Sequence, residues 1–340
     1  DVVLGYINPE TYYGGQMLLN KAKAERAIRE KIAGPLGIPV LEAAALIRRV
    51  VDQNMASAIK REVHLRGYYP EDFVLFAFGG AGPTHVAGFK ADVPKAVIFP
   101  SSPVFCAMGA SIMDIVHLYE QSRRMVFMEP ITERLSIDRE AFNSTVSELL
   151  AKARQEIASE GLPVDQVVFG LELDMLFGGQ VNVKRMSSPV LMIESDEDAQ
   201  RIYDEFELEF SQAFSPLVVN KPGGVYLDNF VLRAMIPTDK PAIPEFPLEG
   251  PDPSASRVGT RLAYWDETKE QCETAIFRFD LLRPGNVLEG PAVVEAELTT
   301  IVIPPGQRFS IDQHGFGVLE NLVTAKTTRE LRREMVLELS

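Results

Sequence analysis

The sequence has little cysteine, tryptophan or histidine. Its 340 residues include two cysteines, one tryptophan and four histidines. Cys106 and Cys272 lie far apart and belong to no CxxC or Cys/His cluster, which argues against a structural zinc site. Such sparse cysteine usage is typical of a reducing compartment, so the sequence predicts a cytoplasmic protein.

The sequence also lacks a positive charge excess and long apolar runs. Lys and Arg number 34 against 48 Asp and Glu, so the formal net charge is −14. This balance argues against binding to a nucleic-acid backbone or to an anionic membrane surface. No apolar run reaches about 18 residues, and no signal peptide is recognisable. Nucleotide binding is still compatible with the negative net charge, because backbone N–H groups can bind phosphates.

Length and composition indicate a globular chain of several domains. The 46% apolar and 24% charged content is typical of globular proteins, and 340 residues predict two or three domains. The first residue is Asp1 rather than Met, and the opening segment resembles the interior of a longer polypeptide. We therefore expect a fragment, a processed product or one half of a split polypeptide.

The first third of the sequence predicts an α/β unit. The run 73–78 is apolar without alternation, which is typical of a strand buried on both faces of a parallel sheet. A glycine-rich turn follows it and leads into a short helix and a second apolar strand. The predicted elements are a helix that Asn20 caps and that ends at Ala33, a helix at 41–66, a strand at 73–78, a helix at 84–91, a strand at 96–99 and a helix at 105–118.

The middle of the sequence predicts an α+β domain. Its elements follow the order β-α-β-β-α-β, which is that of a ferredoxin-like split unit. The predicted strands are 124–128, 166–177, 180–193 and 225–236, and the predicted helices are 138–159 and 197–213.

The last part of the sequence predicts a linker, a β domain and a helix. Six prolines between 237 and 256 indicate a stiff, extended linker. Short strands separated by Gly/Pro turns then predict a small β domain, and a charged helix is predicted at 324–338. The predicted strands are 261–265, 274–279, 291–296, 299–303 and 316–319.

The glycine-rich turn is the best candidate for a binding site. It consists of Gly79, Gly80, Ala81, Gly82 and Pro83, after a strand and before a helix. Ligands bind outside the carboxyl ends of parallel strands, and glycines allow a ligand to approach the backbone closely. A tight turn that needs glycine only for packing is an equally good interpretation. The two best-known phosphate fingerprints, GxGxxG and GxxxxGK[ST], are absent.

Other candidates are single residues or pairs. His85, in the first turn of the following helix, could face a substrate or a metal, although a structural histidine is the commoner case. Asp114 and His117, placed i,i+3 on the predicted helix, could share a metal, but no third ligand lies nearby. Cys106 could be a nucleophile at a helix start; its apolar neighbours favour a buried, inert thiol instead.

The glycine-rich turn also carries a family resemblance. Residues 75–85, LFAFGGAGPTH, closely resemble the FGGAGP-x-H signature of the hydantoinase A family. Three further segments resemble motifs of that family: 4–17 (LGxxNPxxxxGG), 107–117 (SALG…DxxH, with Cys106 where Ser is usual) and 282–300 (LxPG…GPAxxE…ST). The resemblance spans nearly the whole chain.

The resemblance implies the fold of the actin, sugar-kinase and Hsp70 ATPases. In that fold two lobes clamp ATP, and Gly79, Gly80, Ala81, Gly82 and Pro83 would form the adenosine-side loop, with His85 close by. The family's phosphate-binding loops are missing from this sequence, which therefore resembles a C-terminal half. The implied domains are an actin-like lobe at 1–123, the α+β domain at 124–237, the β domain at 257–322 and the C-terminal helix at 323–340.

Residues 6–16 look closest to the ketone carboxylase branch of the family. The resemblance then implies ATP with Mg²⁺, a small ketone and bicarbonate, each activated by phosphoryl transfer. Expected partners are a chain or region that carries the phosphate loops and a hydantoinase B-type subunit that holds Mn²⁺ or another divalent metal. Two alternatives stay open: an ATP-dependent hydantoinase or 5-oxoprolinase, and a non-catalytic scaffold subunit.

Overall fold

A computed structural model of the chain describes residues 1–90 and 92–322. They form mixed α/β sheets in two compact units. Of the described residues, one unit comprises Asp1–His64, Tyr68–Gly109 and 242–322; the other comprises Leu65–Gly67 and Ala110–Pro241. The predicted helix at 324–338 lies outside the described residues. Within them, no helix is both long enough and apolar enough to cross a bilayer.

The first unit begins with helices. Asn20 caps α1 (Lys21–Ile28), as predicted, and its side chain accepts a hydrogen bond from the N–H of Lys23 at 2.8 Å. A π-helical turn, Arg29–Ala33, continues into α2 (Gly34–Leu36). The long helix α3 (Val40–Leu65) follows.

The predicted strand, glycine turn, helix and strand are confirmed. They are β1 (Val74–Ala77), α4 (Gly82–Phe89) and β2 (Lys95–Ile98), and the two strands pair in parallel. The prediction that β1 is buried on both faces is wrong for this chain. Val74 and Phe76 are exposed, because only the opposite face of the strand is covered.

The predicted helix over 105–118 is wrong beyond residue 111. Helix α5 spans Phe105–Ser111, and the first strand of the second unit, β3 (Ile115–Met128), starts soon afterwards. Pairing with a distant strand explains the change, since Ile115 lies opposite Ile236. Tertiary pairing of this kind overrides a local helical pattern.

The second unit has the predicted element order. After β3 come α6 (Arg139–Ser159), β4 (Val168–Phe177), β5 (Lys184–Ser187), α7 (Asp196–Phe214) and β6 (Val225–Ile236). The sheet is antiparallel in the order β3-β6-β4-β5. β3 and β4, which α6 connects, are separated by β6, and β5 and β6, which α7 connects, are separated by β4; both β-α-β units are therefore split. The central strands are β4 and β6, the second and fourth of this unit, whereas a ferredoxin-like sheet has its first and third strands in the centre. β5 is shorter than the predicted strand over 180–193.

One apolar core holds the second unit together. Both helices pack on the sheet through this core, and each begins with a side-chain cap: Asp138 for α6, and a Ser195–Asp198 capping box for α7. Phe206 of α7 is fully buried, with its ring centroid 5.0 Å from that of Phe177 and 5.5 Å from that of Phe210.

The chain then returns to the first unit. Residues 237–253, most of the proline-rich segment, form no helix or strand. Seven strands follow: β7 (Arg257–Trp265), β8 (Glu270–Arg278), β9 (Val287–Glu289), β10 (Ala292–Glu295), β11 (Thr300–Ile303), β12 (Gln307–Ile311) and β13 (Gly317–Asn321). The sequence pattern did not predict β9 and β12, which are short.

These strands belong to two different sheets. One has the order β11-β10-β8-β7; the other, β1-β2-β13-β12-β9, also contains the two strands of the glycine turn. The expected small β domain at 257–322 is therefore continuous with the N-terminal region. Pairing of β13 with β2 joins them, with Leu319 opposite Ala96. Strand periodicity reveals which face is buried, but it does not identify the partner strand.

The core of the second unit generates a stability prediction. We expect Phe206→Ala to lower the free energy of unfolding by about 3–5 kcal/mol, because it empties space inside a packed aromatic cluster. Leu208→Ala in the same helix is the control, and we expect it to change stability by less than about 0.5 kcal/mol, since Leu208 is 52% exposed. Urea denaturation of both variants measures the difference, and equal losses would contradict the core assignment.

Candidate functional site

The glycine-rich turn is a preorganised loop. Gly79 has φ +80°, a conformation that side-chain-bearing residues rarely adopt. Its N–H donates to the carbonyl of Ser102 at 2.8 Å, and the Ser102 hydroxyl donates back to the Gly79 carbonyl at 3.2 Å. The loop is thus anchored to the chain that follows β2, and α4 starts at Gly82.

Two threonine hydroxyls tie this loop to the β10–β11 hairpin. The hydroxyl of Thr84 donates to the carbonyl of Thr300 at 2.8 Å, and that of Thr299 donates to the carbonyl of Gly80, also at 2.8 Å. Each side of the contact therefore supplies one donor and one acceptor. This reciprocal pair fixes the distance between the loop and the hairpin.

A cleft lies where three distant parts of the chain meet. Its walls are formed by residues 7–8 and 11–13, by Gly80 and Thr84, and by residues 295–300. Each group lies within, or directly follows, a motif that carries the family resemblance. Of the five predicted loop residues, Gly80 lines this cleft, while Gly79, Ala81, Gly82 and Pro83 shape the loop beside it.

Arg261 connects the N-terminal wall of the cleft to the hairpin. Its guanidinium donates to the carbonyls of Gly5 at 2.7 Å and Tyr6 at 3.0 Å, and to the Glu295 carboxylate at 2.8 Å. Gly5 has φ +85°, and a Cβ there would lie 2.3 Å from the carbonyl oxygen of Leu262. Residues 5–8 can therefore follow β7 closely only with glycine at position 5.

The polar character of the cleft suits a neutral ligand group. Among the described residues, the lining includes Glu295 and Glu297 but neither lysine nor arginine. Gly80, which lines the cleft, and Ala81, beside it, are exposed residues, and their backbone N–H groups have no acceptor within the part of the chain that the structure describes. The cleft thus offers backbone donors, carboxylates and the hydroxyls of Thr11, Tyr12 and Tyr13.

His85 does not line the cleft. Its Nδ1 lies 2.6 Å from an oxygen of Asp52, and its Nε2 lies 3.1 Å from the Asp1 carboxylate. Arg48 contacts both carboxylates and donates to the carbonyl of Thr84. His85 is therefore part of a mostly buried charge cluster behind the loop, where it links α4 to Asp52 and Asp1.

Close packing between α3 and α4 buries much of this cluster. A Cβ at Gly88 would lie 2.1 Å from Oδ2 of Asp52, so glycine lets the carboxylate reach α4. Burial lowers the pKa of Arg48, and the Asp52 carboxylate opposes that shift. Sequence reasoning missed Arg48 and Asp52; their i,i+4 spacing on the predicted helix was an available signal.

The remaining predicted site residues are placed elsewhere. Asp114 precedes β3 and pairs with Lys240 at 2.5 Å, while His117 lies within β3, 3.4 Å from Glu160. The helical i,i+3 pairing assumed for a metal is therefore wrong, because residues 115–118 are extended. Cys106 is exposed on α5, so the prediction of a buried thiol is also wrong.

Comparison with known proteins identifies the class. Residues 1–119 match the family model described as hydantoinase/oxoprolinase, and residues 132–322 match the hydantoinase/oxoprolinase C-terminal domain. The chain belongs to the hydantoinase/oxoprolinase family.

The chain is similar to subunits of two carboxylases. The chain is 70% identical to the acetophenone carboxylase gamma subunit of Aromatoleum aromaticum, over 97% of this chain and 45% of that one. It is 31% identical to the acetone carboxylase beta subunit of Xanthobacter autotrophicus, over 92% of this chain and 44% of that one. The chain thus spans less than half the length of these relatives.

Two solved structures of related enzymes match the fold of this chain. Nucleotide-free acetone carboxylase, described as an enzyme of ATP-dependent acetone carboxylation, matches 94% of this chain and 45% of its own with TM-score 0.67 and 29% identity. The ATP-dependent caprolactamase of Pseudomonas jessenii matches 94% of this chain and 46% of its own with TM-score 0.81 and 26% identity.

The loop geometry predicts a difference between two glycines. A Cβ would meet no atom within 4 Å at Gly79 or at Gly109, but only Gly79 has a positive φ. We expect Gly79→Ala to destabilise the protein by about 1–2 kcal/mol through backbone strain. Gly109→Ala, within α5, is expected to stabilise it by about 0.5–1 kcal/mol. Thermal unfolding measures both, and a neutral Gly79→Ala variant would contradict the strained loop.

The buried charge cluster predicts a second difference. We expect Asp52→Asn to cost about 3 kcal/mol, because it removes one of the two carboxylates that the buried Arg48 contacts, the one that also faces His85. The neighbouring pair Arg49–Asp266, at 3.0 Å, is more exposed. Asp266→Asn should therefore cost less than about 1 kcal/mol. Denaturant titration at neutral pH tests this, and similar costs for the two variants would refute a buried network.

Proposed function

We propose that this chain is part of the ATP-using subunit of a ketone carboxylase of the acetone or acetophenone type. The observation that carries the proposal is the convergence of three family segments on one cleft, in a chain 70% identical to an acetophenone carboxylase subunit. In this reaction, ATP with Mg²⁺ activates the ketone and bicarbonate by phosphoryl transfer. The chain contributes to the nucleotide site and does not act alone.

Within that site, the cleft holds the nucleoside end of ATP. Glu295 and Glu297 can accept hydrogen bonds from ribose hydroxyls, whereas the same carboxylates repel a triphosphate. The free N–H groups of Gly80 and Ala81 can donate to acceptors of the ligand. This assigns the loop of Gly79, Gly80, Ala81, Gly82 and Pro83 to the adenosine side, with His85 holding α4 in place.

The wider organisation follows from this assignment. The first unit corresponds to one lobe of an actin-like ATPase, and the second is an accessory α+β domain. The triphosphate and Mg²⁺ are bound by a polypeptide region or chain that carries the phosphate loops. A hydantoinase B-type subunit, holding Mn²⁺ or another divalent metal, joins the activated ketone and bicarbonate.

A second candidate function is ATP-dependent hydrolysis of a cyclic amide. The observation that favours it is the TM-score of 0.81 with the ATP-dependent caprolactamase, against 0.67 with acetone carboxylase. The identity of 70% to a carboxylase subunit outweighs this difference in backbone similarity, so carboxylation stays the first proposal.

Calorimetric binding tests the nucleoside assignment on this chain alone. We expect adenosine and ATP to bind with similar Kd values and inorganic triphosphate not to bind. Gly80→Val should raise the Kd for adenosine at least tenfold, about 1.4 kcal/mol, because its side chain enters the cleft. Gly170→Val in β4 is the control and should leave the Kd unchanged. Triphosphate binding, or an effect of Gly170→Val equal to that of Gly80→Val, would contradict the assignment.

Activity of the assembled enzyme tests the reaction. The complex should hydrolyse ATP when acetone or acetophenone and bicarbonate are both present, and should fix labelled bicarbonate. Stimulation by caprolactam, hydantoin or 5-oxoproline instead would favour the amidohydrolase. A complex that binds no ATP would leave only a scaffold role.

A further inference from the structure

His85, in the first turn of α4, lies between two carboxylates. Its Nδ1 is 2.6 Å from Oδ1 of Asp52, and its Nε2 is 3.1 Å from Oδ2 of Asp1. An ionised carboxylate only accepts hydrogen bonds, and a neutral imidazole has a single N–H to donate. Both contacts are hydrogen bonds when both ring nitrogens carry a hydrogen, which is the imidazolium form of His85.

Arg48 completes the charge cluster, which consists of Asp1, Arg48, Asp52 and His85. Its Nη1 donates to Oδ1 of Asp1, and its Nε lies 3.5 Å from Oδ2 of Asp52. Each carboxylate therefore faces Arg48 with one oxygen and His85 with the other. When His85 is charged, two cations balance two anions. When His85 is neutral, the cluster keeps one negative charge in excess.

Burial makes this balance important. The exposed fraction of the side chain is 8% for Asp52, 12% for Arg48, 16% for His85 and 20% for Asp1. A charge without a partner is costly in such surroundings, whereas a paired and hydrogen-bonded charge is tolerated. The neutral form of His85 is therefore disfavoured, because it leaves the cluster with a net charge.

The other titratable groups nearby face Arg48 or belong to the first residue. The ring centroid of Tyr6 lies 4.9 Å from the Arg48 guanidinium, and burial raises the pKa of Tyr6 and of Glu267. Burial, and then Arg48, lower the pKa of the Asp1 α-amino group to about 6. Within the described residues, β1 and β11, which pack against α4, carry no titratable side chain. The proton exchange of this region near neutral pH thus belongs to His85 and to that amino group.

Thr84 connects the charge cluster to the cleft. Arg48 donates to the Thr84 carbonyl, and the Thr84 hydroxyl donates to the carbonyl of Thr300 at 2.8 Å. Thr84 also lines the cleft, and His85 is the next residue of α4. A continuous series of contacts therefore leads from the imidazole through the two carboxylates and Arg48 to the cleft wall, as coupling between the two requires.

We infer that His85 is an imidazolium cation in the folded protein at neutral pH, and that it acts as a pH-sensitive latch. The latch holds the start of α4, and Thr84 with it, against α3 and the N-terminal segment. Loss of the proton to solvent turns a nitrogen lone pair toward a carboxylate and leaves the cluster negatively charged, so the latch loosens as the pH rises. The inference rests on the geometry of this chain and not on the proposed activity.

Nitrogen NMR of the full chain, labelled at histidine, tests the charge state. The chain has four histidines, and the signals that His85→Gln removes belong to His85. We expect both of its ring nitrogens to be protonated at neutral pH. Asp1→Asn should convert His85 to the neutral form at the same pH, because the cluster then has one negative charge fewer. A neutral His85 in the unmutated chain would overturn the inference.

Hydrogen exchange at neutral pH tests the connection to the cleft. His85→Gln should speed exchange at least about fivefold in residues 82–90 and 299–301, and should leave β4 in the second unit unchanged. His64→Gln is the matched control, since His64 is exposed on α3 and its Nδ1 faces the Tyr68 carbonyl and not a carboxylate. Exchange that responds equally to both variants, or to neither, would contradict the latch.

Thermal unfolding as a function of pH gives the sign. The contribution of His85 is present where the imidazolium is stable and is lost as the pH rises. The Tm difference between the unmutated chain and His85→Gln should therefore be at least about 4 °C larger at about pH 6 than at about pH 9. The Asp1 amino group acts in the opposite direction, because its pKa is lowered, but it is common to both proteins and cancels in the difference. A difference that does not depend on pH would identify a purely structural histidine and overturn the inference. None of these measurements involves ATP, so a failure here is separable from a failure of the proposed function.

Discussion

The reciprocal hydrogen bonds between the glycine loop and the β10–β11 hairpin are the constraint on which the cleft depends. Thr84 donates to the carbonyl of Thr300, and Thr299 donates to that of Gly80, across separations of 216 and 219 residues. Buried donors and acceptors must find partners, so these paired contacts fix one relative position of loop and hairpin. Residues 5–6 lead into the third wall of the cleft, and Arg261 holds their carbonyls to Glu295 of the hairpin.

Charge is distributed unequally around this cleft. The lining carries two carboxylates, one of which, Glu295, pairs with Arg261; behind the loop, Arg48 is engaged by Asp52 and Asp1. That arginine supports the loop through the Thr84 carbonyl and is not free to bind a phosphate. Under the proposed function, this arrangement would place the uncharged part of a nucleotide in the cleft, and the triphosphate would need positive charge or metal from another polypeptide region.

The sequence predicted local structure correctly where interactions between residues close in the chain determine it. The cap at Asn20, the long helix over α3 and the strand–glycine turn–helix–strand unit were all predictable, because caps, apolar periodicity and glycine conformations act over a few residues. Predictions failed where distant pairing intervened. Residues 115–118 are extended because β6 pairs with them, and Asp114 and His117 therefore do not share a helix face.

By itself the sequence determined the family, the glycine loop and most of the elements, since motif residues and periodicity are local properties. Tertiary structure decided that residues 257–322 share a sheet with β1 and β2, and that His85 faces Asp52 and Asp1 behind the loop. It also decided which apolar strand faces stay uncovered. The physical reason is that strand pairing and buried ion pairs join residues that are far apart in the chain. The periodicity of one segment does not identify the distant segment with which it pairs.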